Sequence, residues 1–209
     1  MITYGITVAD EEFEFKRLIN SLQPYLLPEE EIVVLADSNK VTSRIIQYAD
    51  TCKLKIEHFN FQKSFADFKN KLFDISSKDY LFQIDADEQI PPSLLYLLRS
   101  IAKNKEADLL WIPRINIVRG ATEKDIKKFN WRINNNGWEG FPDYQARFVE
   151  LKPNIRWTGT VHEKLTGALN QKIIKQNPIE LYSILHVKDI KKQRKQNKFY
   201  ESIENRGQV

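Results

Sequence analysis

The chain has little cysteine, little glycine and no long apolar run. Cys52 is its only cysteine, which excludes a disulfide framework and a cysteine-based metal site. A reducing, cytoplasmic setting agrees with that. Seven glycines and eight prolines among 209 residues exclude low-complexity and collagen-like character. No segment approaches the roughly 18 consecutive apolar residues of a membrane-spanning helix. The opening "MITYGITVADEEFEF" lacks the basic and apolar regions of a signal peptide. Charge of one sign is also scarce: the net is +4, and much of the excess sits in "KDIKKQRKQNK", residues 188–198. That run reads either as a solvated helix face or as a surface for phosphate, on a nucleotide, an anionic membrane or a nucleic acid.

What the chain does have is alternation. "ITYGITV", "EIVVLAD", "KLKIEHF" and "YLFQI" read as four strands, short and apolar in the manner of a buried parallel sheet. Between them, apolar residues recur at helical spacing: Phe15, Leu18, Ile19 and Leu22 after Asp10 as N-cap; Val41, Ile45, Ile46 and Ala49; then Phe65, Phe68, Leu72 and Ile75 after a Ser64–Asp67 cap. Leu94, Leu95, Leu98 and Ile101 mark a fourth helix. The pattern predicts an α/β fold with a mainly parallel sheet flanked by helices.

After "ADLLWIPRINIV" the texture changes. Residues 119–142, with "NNNGWEGFP", show no clean period and read as a functional loop or lid. "YQARFVE", "IRW", "KIIK" and "ELYSILHV" read as short antiparallel strands, and a Lys-rich helix from Val187 to about Ile203 closes the chain. A single domain is expected: residues 1–106 as one half, 107–187 as the other and 188–209 as the basic helix.

The fourth strand runs into "DADE", residues 85–88. In an open α/β sheet, ligands bind beyond the carboxyl ends of the strands. Asp85 and Asp87 alternate along an extended chain, so their carboxylates are expected on one side. Mg²⁺ or Mn²⁺ with substrate phosphates would relieve their repulsion. Acids placed at a helix N-terminus are the other reading, with Asp87 or Glu88 ahead of "IPPSLL". A phosphatase of the haloacid-dehalogenase type fits less well, because its D-x-D commonly ends the first strand.

The ordered motifs resemble family-2 glycosyltransferases of the GT-A fold, and the resemblance spans nearly the whole chain. "ITVADEEFEFKRLINSL", "VVLADS" and the run ending in "DADEQIP" are similar to the family's nucleotide-sugar half. "GWEGFPDYQARFVELKPNIRWTGTVHEKL" and "ILHVKDIKKQRKQNKFY" resemble the acceptor half and late His of lipopolysaccharide-core glucosyltransferases. Two departures stand out: Lys69-Asn70 where relatives commonly carry Arg-Asn, and Arg147-Phe148-Val149 where many read Arg-Leu-Phe. Lysine keeps the charge but loses the bidentate fork. The chain is also short for the family.

The resemblance implies a metal-dependent, inverting transfer of a hexose from a nucleotide-sugar, a UDP-sugar foremost, with Mn²⁺ or Mg²⁺. Asp87, His186 and Asp85 would hold the metal. Thr7, Asp10, Asp37, Lys69, Asn70, Asp85 and Ala86 would meet the donor; Trp138, Asp143, Arg147 and His162 would meet the acceptor. Glu163 takes the place of the catalytic base, with Asp143 as competitor. His58 reads as structural. Trp131 and Trp138 suit a sugar face, whereas Trp157 reads as core. The acceptor is open: a lipopolysaccharide or other glycan, a protein side chain, or a modified nucleic-acid base. A non-catalytic module binding a nucleotide-sugar or nucleic acid is the reading of another class.

Overall fold

The computed structural model describes residues 1–61, 64–159 and 163–204. Its first half follows the predicted alternation: β1 (Ile2–Val8), α1 (Glu12–Leu22), β2 (Glu31–Asp37), α2 (Ser43–Thr51), β3 (Lys55–Phe59), α3 (Phe65–Ile75), β4 (Tyr80–Asp85), a two-residue β5 (Glu88–Gln89) and α4 (Pro92–Asn104). The second half contains β6 (Leu109–Arg119), α5 (Glu123–Lys128), β7 (Glu139–Glu150), β8 (Arg156–Thr158), β9 (Lys164–Thr166), β10 (Gln171–Ile173), β11 (Ile184–Asp189) and α6 (Ile190–Glu204).

Among the described residues, strands from both halves form one sheet in the order β3-β2-β1-β4-β7-β6-β11-β5, with β10 also on β6. The β1 to β4 pairings are parallel, whereas β7 runs antiparallel between β4 and β6. β8 and β9 form a separate antiparallel pair. Two of the expected antiparallel strands are otherwise placed at β6: β10 and β11 run parallel to it, although β11 is antiparallel to β5 on its other edge. The reason is topological. Each arrives at β6 after a crossing connection, and local alternation carries no information about direction.

The central strands are buried on both faces, so alternate residues feed two cores. Ile6, Val34, Phe82 and Ile84 pack with Phe15, Leu18, Leu94 and Leu98 on one side. Val33, Leu35 and Leu81 pack with Leu72, Phe73, Val149 and Trp157 on the other. Each such side chain contributes about 1.5–3 kcal/mol when fully buried. Gly5 permits the close approach of α3: a Cβ there would stand 2.6 Å from Leu81 Cδ1 and 2.7 Å from Leu72 Cδ2.

Three local expectations are corrected. Asp10 does not cap α1; Glu11 occupies the cap position, and the Asp10 carbonyl accepts from Glu12 N. The stretch 119–142 is not structureless, because Thr122 and Asp125 form a reciprocal capping box that starts α5. The Lys-rich helix begins at Ile190, so Val187, Lys188 and Asp189 are the end of β11. No helix of the described residues is long and apolar enough to cross a membrane.

Candidate active site

A cleft of about 650 Å³ opens at the carboxyl ends of β1 and β4, where a parallel sheet leaves unpaired strand ends. Thr7, Asp37, Lys69, Asp85, Ala86 and Asp87 line it from the first half. Asp143, Arg147, Glu163 and His186 reach it from the second. Phe61, Phe65 and Phe68 add an aromatic wall beside Asp37.

The acids of "DADE" do not project side by side from one strand. β4 ends at Asp85, Ala86 and Asp87 form a turn, and β5 returns to pair with β11 opposite His186. Glu88 Oε2 closes this turn by accepting from Asp85 N at 2.9 Å. Asp85 and Glu88 then share one cation. Arg147 Nη2 donates to Asp85 Oδ2 at 2.7 Å and to Glu88 Oε1 at 2.8 Å, while Thr7 Oγ1 donates to Asp85 Oδ1 at 2.8 Å. Arg114 adds a longer contact of 3.4 Å to Glu88, which is wholly buried. Burial opposes ionisation of Asp85, but Arg147, with Lys69 and Thr7, outweighs it and holds the carboxyl well below the usual carboxylate range.

Asp87 faces a different set. His186 Nε2 stands 3.5 Å and Lys192 Nζ 3.3 Å from its Oδ2. Burial again opposes ionisation; His186 in its charged form, donating from Nε2, and then Lys188 outweigh it, so Asp87 is also held below the ordinary range. Lys192 further touches Glu11 at 3.6 Å. Lys188 is lowered by burial, aided by Arg114 and Lys192. Part of the basic tail is therefore paired within the fold: Lys192 is on Asp87, and the exposed Arg194 reaches Asp125.

Toward the other wall, Lys69 Nζ donates to Glu163 Oε1 at 2.5 Å and lies 4.2 Å from the Trp157 ring centre. Asp143 is held on both oxygens: Oδ2 by Arg114 and Asn116, Oδ1 by Gln145. Burial opposes the Asp143 charge, and Arg114 with these hydrogen bonds overrides it. Glu139, also in the cleft, is pushed up by burial and by Asp143.

Other expected site residues fall elsewhere. Asp10 is exposed and off the cleft lining. Asn70 clamps Trp157, donating to its carbonyl and accepting from its N–H, both at 2.9 Å. Trp138 packs edge-on against Phe141, outside the lining, whereas Trp131 is in it. Trp157 is buried and donates to Gln83. His58 is exposed on β3, and His162 lies outside the described residues.

The residues that sequence reasoning missed are Glu88, Arg114, Asn116, Glu139 and Lys192. Glu88 carried a local signal as a third acid in the run, and Lys192 one as part of the basic run 188–198; Arg114, Asn116 and Glu139 carried none.

A divalent metal fits this donor set in part. Among the described residues no three His, Cys, Asp or Glu groups converge to hold one alone. Asp87 and His186 present two donors to one spot, which suits an ion that keeps waters and substrate phosphates as its remaining ligands.

The solved structures of S. aureus TarS share this architecture. TarS 1–349 superposes with a TM-score of 0.62 at 14% identity, over 89% of this chain and 60% of that one. Its complex with UDP-GlcNAc gives 0.59 at 14% identity, over 90% and 58%. The chain thus spans little more than half of TarS 1–349. No curated protein sequence matches it. The sheet with its flanking helices is the GT-A fold. Residues 5–157 match Glycosyl transferase family 2, and with most of its length inside that match the chain belongs to this family of glycosyltransferases.

Proposed function

We propose that the protein is a metal-dependent, inverting glycosyltransferase that moves a hexose from a nucleotide-sugar to a hydroxyl acceptor by single displacement. The observation that carries this reading is the meeting of Asp85, Asp87 and His186 at the strand ends, in one cleft with Glu163 and Asp143. Asp87 and His186 would hold Mn²⁺ or Mg²⁺, which when bound offsets the negative charge that a nucleoside diphosphate gathers as it leaves. Lys188 and Lys192 turn positive charge toward the same corner. Thr7, Asp37 and the aromatic wall border space for the nucleoside. The UDP-GlcNAc complex of TarS makes UDP-sugars the first donors to try.

Glu163 is the base we assign. It is held on one oxygen by Lys69, whereas Asp143 has hydrogen bonds on both, among the described residues. A carboxylate with a free lone pair is the better proton acceptor. Acceptor contacts are assigned to Arg147, Asp143 and Trp131, which line the cleft, a set that suits a glycan; Trp138 stands outside it. Membrane or nucleic-acid contact through α6 would rest on outward residues such as Lys191 and Lys195.

The test is a donor screen with Mn²⁺ or Mg²⁺, following release of nucleoside diphosphate and thermal stabilisation. UDP-sugars with Mn²⁺ should stabilise the protein and be turned over once an acceptor is present. If no nucleotide-sugar or nucleoside diphosphate stabilises the protein with either metal, the reading fails.

A further inference from the structure

One buried residue joins the two sides of the cleft without belonging to either group of expected site residues. Asn116, on β6, sits in register with Glu139 on β7 and with His186 on β11, and His186 is in turn opposite Glu88 on β5. This row crosses four strands at the level of the metal corner. The β6–β7 register shifts between Arg114 and Asn116, and such irregularities re-aim side chains near sites.

The orientation of the Asn116 amide is settled by its neighbours. Its Nδ2 lies 2.9 Å from Asp143 Oδ2, and an ionised carboxylate can only accept. The amide nitrogen therefore faces Asp143, and Oδ1 faces His186 Nδ1 at 2.8 Å. An amide oxygen cannot donate, so Nδ1 must carry the hydrogen. Arg114, 2.8 Å from the same Asp143 oxygen, holds the carboxylate in place.

On its other side, His186 Nε2 is 3.5 Å from Asp87 Oδ2. In a neutral ring one of the two nitrogens is bare, and two lone pairs repel wherever it faces an acceptor. The 2.8 Å contact with Asn116 leaves no room for that repulsion. The 3.5 Å contact does, and Lys192 softens it from 3.3 Å on the same Asp87 oxygen. The proton belongs on Nδ1, and the bare Nε2 points to the corner where Asp87 stands.

We infer that Asn116 is a positioning residue: it holds His186 in the Nδ1-protonated form and so directs the Nε2 lone pair toward a cation beside Asp87. The metal part of this inference rests on the proposed function; the tautomer does not. Partners of this kind orient ligand histidines and raise their basicity.

The tautomer is read in ¹⁵N-labelled, metal-free protein, at a pH where the ring is neutral, from long-range ¹H–¹⁵N correlations. His186 is assigned by the loss of its signals in His186→Gln. Wild type should show a protonated Nδ1 and a bare Nε2. Asn116→Leu, which offers no acceptor, should move the proton to Nε2 or mix the two forms. It should also weaken Mn²⁺ binding in the presence of UDP, followed by electron paramagnetic resonance, by about 10- to 100-fold. A wild-type ring protonated at Nε2 overturns the inference, even if Asn116→Leu does not fold. So does an Asn116→Leu protein with both tautomer and Mn²⁺ affinity unchanged. Failure of wild type to bind Mn²⁺ with UDP would instead sink the metal reading, leaving the ring proton to decide the role of Asn116.

Discussion

Lys192 Nζ rests 3.3 Å from Asp87 Oδ2, a contact between residues 105 apart in sequence. It ties the C-terminal helix α6 to the turn after β4 and puts an ammonium on the carboxylate a metal would need. A unit charge pair at about 4 Å is worth on the order of 4 kcal/mol near a protein surface. The lysine, which also touches Glu11, would therefore compete for Asp87 until an incoming diphosphate draws it away.

Lys192→Met should accordingly split two affinities. Mn²⁺ alone binds more tightly, by roughly tenfold or about 1.4 kcal/mol, because the competing cation is gone. UDP in the presence of Mn²⁺ binds more weakly, because the diphosphate loses a counter-charge. Calorimetric titration with each ligand separates the two effects, and parallel changes would refute the competition.

Arg147→Met leaves Asp85 and the buried Glu88 without their shared cation. Removing one partner of such a buried pair costs about 3–5 kcal/mol, measurable by urea unfolding. The acid limb should move as well. Asp85 is depressed in the folded protein, so its stabilising contribution is complete above the ordinary aspartate value of about 3.9. It is lost as pH falls from there toward the folded value. Without Arg147 that depression shrinks, and acid unfolding should begin at a higher pH than in wild type.

Glu163→Gln should remove transfer while UDP affinity with Mn²⁺ stays unchanged, since the amide keeps the shape but cannot take a proton at neutral pH. Single-turnover transfer and nucleotide titration on one preparation report both. Full transfer activity in this variant would reassign the base to Asp143.

Asn70→Ala should behave as a structural change. Its amide makes two hydrogen bonds to the Trp157 backbone, each worth about 1 kcal/mol. A loss of roughly 2 kcal/mol in stability is expected, with UDP affinity close to wild type. A large loss of UDP affinity at unchanged stability would return Asn70 to the donor site.

The strand and helix alternation of the first hundred residues was legible because burial on both faces of β1, β2 and β4 leaves short apolar runs, and the helices between them keep one apolar stripe. The capping box at Thr122 was not read from the sequence, although "TEKD" carries the same hydroxyl-x-x-acid spacing as Ser64–Asp67. It was masked by the Asn- and Gly-rich surroundings. The directions of β10 and β11 were not legible, because a strand's residues look alike whichever way its neighbour runs.

The candidate site divides along the same line. "DADE" at the end of a predicted strand pointed to a corner of the cleft, since a strand's end and its charge are local facts. Which cation meets which acid is not local: Asp85 is neutralised from 62 positions away by Arg147 and Asp87 from 105 positions away by Lys192. Nor could the chain order say that Asn116 would stand between Asp143 and His186, or that Asn70 would hold the Trp157 backbone. Periodicity and motif order are written residue by residue and settle the family and the sheet. Charge pairing and the side on which a ring carries its proton depend on distances of 3 to 4 Å, and those exist only after the strands have been laid side by side.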